Sequence, residues 1–352
     1  MLWQKHMTII ARRWTNLNIE EIKKITTGIA RITEEADGIH FYRFNQAEEE
    51  MYYEYNKDFH RKSFATSGVH MEFETDANSL EMAVNVDLAS SRKFFAVDLY
   101  VDGKYVDCIR NFTDEQINVT RYHKLEVPLG DFSKKFDLGE GNKKIKLFFP
   151  WSVSLVLKEF KLEGETYVNP VEKKTKILAY GDSITHGYDA THPSNSYAEL
   201  MAQALDAEIL NKAIGGEIFK PELSAIKNDF IPDFITVAYG TNDWDSAPSV
   251  EVLEKNCRGF MENLIKNYPG VKIFAFTPIW RDAPTGRVFD FEELDSFLQN
   301  IYKDYNEITC ISARHFVPES SDYFADLVVH PNDAGFKYYA EGVVRELKKY
   351  IS

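Results

Sequence analysis

The heptapeptide GDSITHG at residues 181–187 directly follows the apolar run ILAY at residues 177–180. The apolar run predicts a buried strand, and the glycine-bounded segment after it predicts a tight turn into a helix. Such a turn leaves backbone N–H groups free to stabilise negative charge that develops beside a serine. Ser183 is therefore a candidate nucleophile, although the N-cap of an ordinary helix explains this segment alone equally well.

Three later segments supply groups that a serine nucleophile needs. NKAIGG at residues 211–216 ends a predicted strand, GTND at residues 240–243 follows another, and HPND at residues 330–333 precedes the last predicted helix. In this order, together with GDSITHG, they resemble the Ser, Gly, Asn and His blocks of the SGNH/GDSL hydrolase superfamily. The resemblance covers roughly residues 175–352, and four ordered blocks are far more specific than any one of them.

The resemblance implies a role for one residue in each block. Ser183 is expected to be the nucleophile and His330 the general base, because a serine hydroxyl attacks at neutral pH only when an imidazole accepts its proton. The backbone N–H of Gly216, the side-chain amide of Asn242 and the N–H of Ser183 itself are expected to form the oxyanion hole. The family pattern Asn-x-Gly-x-Ser-Gly, laid over residues 211–216, puts the second glycine of the pair, Gly216, at the donor position.

The sequence departs from the family at the aspartate of the catalytic triad. The family pattern is Asp-x-x-His, whereas this chain reads DLVVH at residues 326–330, with Leu327 at the expected aspartate position. Two alternatives remain open. Either the loop is rearranged by one residue so that Asp326 binds the Nδ1–H of His330, or a backbone carbonyl orients the imidazole and the site is a Ser-His dyad.

Other polar side chains near the blocks are expected to have supporting roles. Asp182 is expected to accept backbone N–H groups that order its loop, and Asp243 to be a loop-ordering or solvated carboxylate, because consecutive residues of a tight turn point apart. His186 and His192, with Asp189 nearby, are expected to face solvent or the substrate rim, since no spacing typical of a structural zinc site is present. The sequence therefore predicts no metal and no cofactor.

The composition is that of a globular protein. Of the 352 residues, 44% are hydrophobic and 27% are charged, and no apolar stretch approaches the roughly 20 residues that a membrane-spanning helix needs. The formal net charge of −14 disfavours nucleic acid and anionic membrane surfaces as partners. The start, MLWQKH, lacks the apolar core of a secretory signal, and the 3 cysteines are widely spaced. A cytoplasmic location with free thiols is therefore expected.

Two different patterns divide the chain. After about residue 174, strand patterns alternate with helical ones, which is typical of a parallel sheet flanked by helices, and the catalytic blocks follow strand ends, where such sheets bind ligands. Earlier residues show period-two alternation and turn signals, which predict an all-β sandwich, with a short helix at Ile19–Ala30. We therefore predict a β-sandwich domain at residues 1–170 and a catalytic domain at residues 171–352. The strands predicted in the second domain are Lys176–Tyr180, Glu208–Ile214, Phe234–Tyr239, Lys272–Thr277 and Ile308–Ser312.

This order of domains resembles a group of bacterial two-domain carbohydrate esterases with an N-terminal jelly roll. The segments that carry the resemblance are TSGV at residues 66–69, FPW at residues 149–151 and TPIW at residues 277–280. It implies a three-layer, flavodoxin-like SGNH domain that removes acetyl groups from sugar hydroxyls, on a small-molecule or an oligosaccharide ester substrate. Trp244 and Trp280 are candidates for stacking on the sugar, although packing at the domain seam is an equal alternative.

Two other functions remain open on the sequence alone. The same site serves many acyl groups, so a lipid or acyl-thioester hydrolase is one alternative. A glycan-binding protein with an inactive hydrolase domain is another, because Asp326 is displaced from the family position. The presence of Ser183, Gly216, Asn242 and His330 favours an active enzyme over this second alternative.

Overall fold

The computed structural model describes residues 14–119, 122–164, 166–282 and 289–351. The first six residues, on which the expected location rests, lie outside these ranges. The strands are β1 Trp14–Asn16, β2 Thr26–Thr27, β3 Arg31–Glu35, β4 Gly38–Tyr42, β5 His70–Thr75, β6 Ser79–Leu88, β7 Ala96–Val101, β8 Lys104–Arg110, β9 Gly130–Asp137, β10 Lys143–Phe148, β11 Val153–Glu163, β12 Asn169–Pro170, β13 Thr175–Gly181, β14 Ala207–Asn211, β15 Phe234–Ala238, β16 Lys272–Phe276 and β17 Ile308–Ile311.

Helices are concentrated in the second half of the chain. The α-helices are α1 Ile19–Ile25, α2 Gln46–Tyr55, α3 Lys57–Ser63, α4 Asp114–Val119, α5 Ser183–His186, α6 Tyr197–Ala204, α7 Pro221–Ala225, α8 Thr241–Ser246, α9 Val250–Asn267, α10 Phe291–Tyr302 and α11 Asp333–Leu347. Short 3-10 turns lie at Tyr122–Lys124, Pro193–Asn195 and Ser321–Tyr323.

Two antiparallel sheets pack face to face in the first half and form the predicted β-sandwich. One sheet has the order β3-β4-β11-β6-β9 with β1 beside β11, and the other has the order β12-β5-β10-β7-β8 with β2 beside β5. Apolar side chains that alternate along both sheets, such as Phe73 of β5 and Met82 and Val84 of β6, meet in one buried core. The predicted front helix is shorter than expected, because α1 ends at Ile25 and the chain continues directly into β2.

The five strands predicted after residue 174 form one parallel sheet. Its order is β14-β13-β15-β16-β17, and each observed strand overlaps its predicted range. Consecutive residues of β13 point to opposite faces of the sheet. Ile177 and Ala179 pack with α6 and α11, whereas Leu178 and Tyr180 pack with α9 and α10. The sheet therefore has helices on both faces, which is the predicted three-layer arrangement.

The architecture changes between β12 and β13. Strand β12 ends at Pro170 as an edge strand beside β5, and β13 opens the parallel sheet at Thr175. These bounds support our proposal that residues 1–170 and 171–352 are the two domains. Within the described ranges, every helix is too short or too polar to cross a membrane. The cellular location stays a prediction.

Candidate active site

The predicted strand, turn and helix around GDSITHG are all present. Strand β13 ends at Gly181, and the short helix α5 begins at Ser183. Asp182 is the N-cap of this helix, because its Oδ1 accepts the backbone N–H of Ile184 at 2.9 Å. Asp182 therefore orders the turn as expected, and the alternative in which Ser183 is the N-cap is wrong.

Ser183, His330 and Asp326 are joined by two side-chain hydrogen bonds. The Oγ of Ser183 lies 2.9 Å from Nε2 of His330, and Nδ1 of His330 lies 2.7 Å from Oδ2 of Asp326. With its proton on Nδ1, the neutral ring donates to Asp326 and can accept the serine proton at Nε2. This geometry agrees with the first of the two alternatives above, in which Asp326 rather than a backbone carbonyl contacts the imidazole.

The loop has one more residue between the aspartate and the histidine than the family pattern, and a residue in the left-handed conformation accommodates it. Leu327 has a φ of +67°, which residues other than glycine rarely adopt. The resulting turn lets Oδ1 of Asp326 accept the N–H groups of Val328, Val329 and His330 at 2.9, 2.8 and 3.1 Å. Burial of Asp326 opposes its ionisation, but the hydrogen bond to His330 and the backbone donors outweigh burial and lower the pKa of the carboxyl. Asp326 is therefore an anion that is held firmly beside the imidazole.

Gly216 and Asn242 follow the two strands that flank β13. Gly216 lies in the loop after β14, and Asn242 lies in the first turn of α8, just after β15. The Nδ2 of Asn242 donates to the carbonyl of Glu217 at 2.9 Å, which ties the Asn block to the residue after Gly216. Because the carboxyl ends of parallel strands meet at one edge of a sheet, the segments that carry Ser183, Gly216 and Asn242 lie at the same edge.

Two buried aspartic acid side chains support this edge of the sheet. Burial raises the pKa of Asp182 to about 6 and that of Asp243 to about 8. The Oδ1 of Asp243 accepts the N–H of Phe219 at 2.9 Å, which joins the Asn block to the loop after Gly216. Asp243 is therefore a loop-ordering group, one of the two expected possibilities.

The two tryptophans that were expected to line the site differ in their surroundings. Trp244 is 1% exposed, its indole N–H donates to the carbonyl of Phe289 at 2.7 Å, and its ring packs edge-on against Phe291. In this conformation Trp244 is not placed to stack on a sugar, because the ring is buried and the guanidinium carbon of Arg281 lies 5.6 Å from its centre. Trp280 is only partly buried, with its ring 5.4 Å from that of Phe324, and its role in substrate binding stays a prediction.

His186 and His192 were expected to face solvent or the substrate rim, but His186 does neither and His192 is only partly exposed. His186 is fully buried: its Nε2 lies 2.8 Å from the carbonyl of Trp151, and its Nδ1 accepts the N–H of Gly215 at 3.2 Å. Burial keeps the pKa of His186 well below its ordinary value, so the ring is neutral and helps to shape the loop that carries the glycine pair. His192 is partly buried, and its Nδ1 lies 2.5 Å from Oδ1 of Asp98 on β7. This hydrogen bond links the two halves of the chain.

Two contacts from the β-sandwich reach the site, and the sequence indicated neither. Arg92 forms an ion pair with Asp189, whose Oδ2 lies 3.6 Å from Nδ1 of His330. Lys62 of α3 donates to the carbonyl of Gly215 at 2.9 Å. Both basic residues lie far from the catalytic blocks in sequence, so no local pattern indicates these contacts.

Asp189, Asp326 and His330 also form a group whose ligand atoms all lie within 4.8 Å of one another. Contacts within the chain account for this close approach, because Asp189 is paired with Arg92 and Asp326 binds the imidazole and three N–H groups. A metal ion at this place would compete with the guanidinium for Asp189. The residues therefore fit a network of ion pairs better than a metal site.

A serine, a histidine and an aspartate that are hydrogen-bonded at the carboxyl edge of a parallel sheet form the arrangement of serine esterases and acylhydrolases. Residues 179–338 match the model of the GDSL-like Lipase/Acylhydrolase family. The C-terminal domain is therefore a GDSL/SGNH domain, as the sequence predicted. No curated protein matches the chain in a comparison of sequences.

Solved structures with a similar fold span both domains. The salicylyl-acyltransferase SsfX3 from a tetracycline biosynthetic pathway is 17% identical with a TM-score of 0.77, over 97% of this chain and 98% of that one. The acetyl xylan esterase Est2A from the rumen bacterium Butyrivibrio proteoclasticus is 17% identical with a TM-score of 0.61, over 96% and 98%. A family two carbohydrate esterase from Clostridium thermocellum, in complex with cellohexaose, is 17% identical with a TM-score of 0.62, over 81% and 93%. At these identities the likeness concerns the fold alone.

Proposed function

We propose that this protein is a serine esterase that hydrolyses short acyl esters, acetyl esters above all, of carbohydrates. The observation that carries the proposal is the hydrogen-bonded series Ser183, His330 and Asp326, with distances of 2.9 and 2.7 Å. The likeness of the two-domain fold to carbohydrate esterases supports the choice of substrate class. The proposed reaction needs no cofactor.

In the proposed reaction, the hydroxyl of Ser183 attacks the carbonyl carbon of the ester while Nε2 of His330 accepts its proton. The N–H groups of Ser183 and Gly216 and the amide of Asn242 donate to the oxyanion of the tetrahedral intermediate. The sugar hydroxyl leaves with the proton from His330, and an acetyl-serine remains. A water molecule then attacks this ester with His330 again as the base, acetate leaves, and Asp326 stabilises the imidazolium in both steps.

Labelling and turnover together test this proposal. A fluorophosphonate should modify Ser183 stoichiometrically, as located by mass spectrometry, and acetylated mono- and oligosaccharides should release acetate. Both signals should disappear in Ser183→Ala and persist in Ser133→Ala, a matched change of an exposed serine on β9. A folded protein that binds glycans but neither reacts with the probe nor releases acetate would contradict the esterase and favour the glycan-binding alternative.

The acyl group and its acceptor require separate measurements. Hydrolysis of p-nitrophenyl acetate much faster than of the octanoate and palmitate esters would support a short polar acyl pocket, whereas the reverse order would favour a lipid or acyl-thioester hydrolase. The likeness to an acyltransferase over nearly the whole chain supports a second candidate function, in which a hydroxyl of another molecule resolves the acyl-serine. Product analysis with excess alcohol distinguishes the two, because transfer yields a new ester and hydrolysis yields acetate.

A further inference from the structure

A second carboxylate faces the ring nitrogen that Asp326 binds. The Oδ2 of Asp189 lies 3.6 Å from Nδ1 of His330, compared with 2.7 Å for Oδ2 of Asp326. Asp189 is 1% exposed, and its φ of +69° lies in the left-handed region, which aspartate adopts more readily than most residues. The proposed reaction assigns Asp189 no role.

Arg92 of the β-sandwich holds this carboxylate in a two-pronged ion pair. Its Nε lies 2.6 Å from Oδ1 of Asp189, its Nη2 lies 2.9 Å from Oδ2, and Arg92 is 7% exposed. The guanidinium carbon lies 5.5 Å from the centre of the Tyr188 ring, which itself stacks on His330 with 5.6 Å between ring centres. The loop between β6 and β7 therefore extends from one domain to the catalytic base of the other.

The charges around the imidazole explain why this pairing matters. Three carboxylates act on the ring, namely those of Asp326, Asp189 and Asp182. Each of them alone would favour the imidazolium form, which cannot accept the serine proton. Arg92 supplies a buried positive charge that offsets one of them, and its fixed geometry keeps Oδ2 of Asp189 beyond hydrogen-bond distance of Nδ1. The ring contacts Asp326 on its own loop and Ser183, Tyr188 and Asp189 around α5, and the charge of Asp182 also acts on it. Arg92 contacts Asp189 and the ring of Tyr188 rather than His330 itself.

We propose that Arg92 is a positioning residue for the catalytic base: by pairing with Asp189, it offsets the charge of that carboxylate and leaves His330 bound to Asp326 alone. This inference rests on the proposed serine esterase function. It also gives the N-terminal domain a part in setting the pH at which the enzyme works.

The pH profile of kcat/KM for p-nitrophenyl acetate between pH 5 and 9 tests the inference. Arg92→Met should move the acid limb upward by about one to two pH units, since a charge within about 7 Å of Nδ1 is removed at an effective dielectric constant of about 20. Asp189→Asn should move the limb in the opposite direction, because it leaves the guanidinium unopposed. The double variant Arg92→Met/Asp189→Asn, which removes both charges, should return the limb to within about 0.3 pH units of the wild type.

Two further variants separate this role from a purely structural one. Arg92→Lys keeps the charge but loses the two-pronged geometry, so its shift should be smaller than that of Arg92→Met. Arg258→Met removes a comparable arginine, paired with Glu254 and Asp304 on the protein surface, and should leave the limb in place. Asp182 is unchanged in every variant, so differences between profiles report on the Arg92–Asp189 pair.

The possible failures are distinguishable. A uniform loss of activity at every pH in Arg92→Met, or an unchanged profile, overturns the inference and leaves the esterase intact. If Arg92→Met does not fold, Asp189→Asn and the double variant carry the test, and an unchanged limb in both overturns it equally. A folded wild-type protein without turnover or labelling at Ser183 overturns the proposed function, and the inference with it.

Discussion

Replacing Asp326 with asparagine tests the catalytic geometry most directly. Asparagine keeps an oxygen for the three backbone N–H groups that Oδ1 now accepts, but it places an NH₂ group against Nδ1 of His330, where Oδ2 lies at 2.7 Å. Because that NH₂ can only donate, the ring must carry its proton on Nε2, and Nε2 then donates to Ser183 instead of accepting its proton. In a serine hydrolase the same change lowers kcat by about 10⁴-fold, which corresponds to about 5.5 kcal/mol of transition-state stabilisation.

Stopped-flow or steady-state hydrolysis of p-nitrophenyl acetate measures this loss, and thermal unfolding checks that the fold persists. The free energy of unfolding should fall by only about 1–2 kcal/mol, because a charged acceptor is replaced by a neutral one in an intact loop. Asp322→Asn, at an exposed position of the same loop, is the matched control and should retain activity within about twofold. A loss below about tenfold in folded Asp326→Asn would refute the reasoning, since the imidazole would then be oriented by another group, as in a Ser-His dyad.

Three further outcomes are expected. Asn242→Ala should lower kcat about 10²–10³-fold with little change in KM, because an oxyanion donor acts mainly in the transition state. Steady-state kinetics measure both constants, and equal effects on kcat and on ground-state binding would contradict this role. Burial raises the pKa of Asp243 to about 8, so the folded protein holds a proton that the unfolded chain releases above about pH 4. The free energy of unfolding should therefore fall by about 2 kcal/mol between pH 6 and 8, and urea titrations of Asp243→Asn should lack this part of the pH dependence. Leu327→Gly should raise the free energy of unfolding by about 0.5–1 kcal/mol, because glycine adopts the left-handed backbone conformation without strain and the leucine side chain is 47% exposed. Destabilisation in urea titrations would mean that the loop needs the contacts of the leucine.

Local sequence patterns explain which parts of the fold were predictable. A buried parallel strand and its following helix are encoded by contiguous residues, so the five strands β13 to β17 were located to within a few residues. In α9, apolar residues at three-and-four spacing form one buried face, so this helix too is encoded by a local pattern. Its buried members are Leu253, Cys257, Phe260, Met261 and Leu264.

Side-chain environments were less accessible from the sequence. The spacing of Asp326 and His330 left two arrangements open, and the one observed depends on the φ of Leu327, which no spacing rule contains. Trp244 follows the Asn block in sequence, yet α8 turns its ring toward Phe291 and the core. In both cases the outcome depends on the direction of one side chain, which neighbouring elements determine.

The least predictable contacts join the two domains, and they bear directly on the loop after β14. Arg43 is fully buried and donates to the carbonyls of Asn211 and Ala213 at 2.5 and 3.0 Å. Lys212, which lies between these two residues, forms a fully buried ion pair with Glu48 of α2, with 2.6 Å between Nζ and Oε2. A buried ion pair adds little stability over apolar packing, but removal of one partner costs about 3–5 kcal/mol. The pair therefore fixes the position of α2 relative to the loop after β14. The C-terminal domain alone would leave Lys212 and both carbonyls without these partners. The N-terminal half of the chain is therefore part of the scaffold that shapes the loop after β14, which carries Gly216. In the esterase that we propose, the two domains work as one catalytic unit rather than as an enzyme with an appended module.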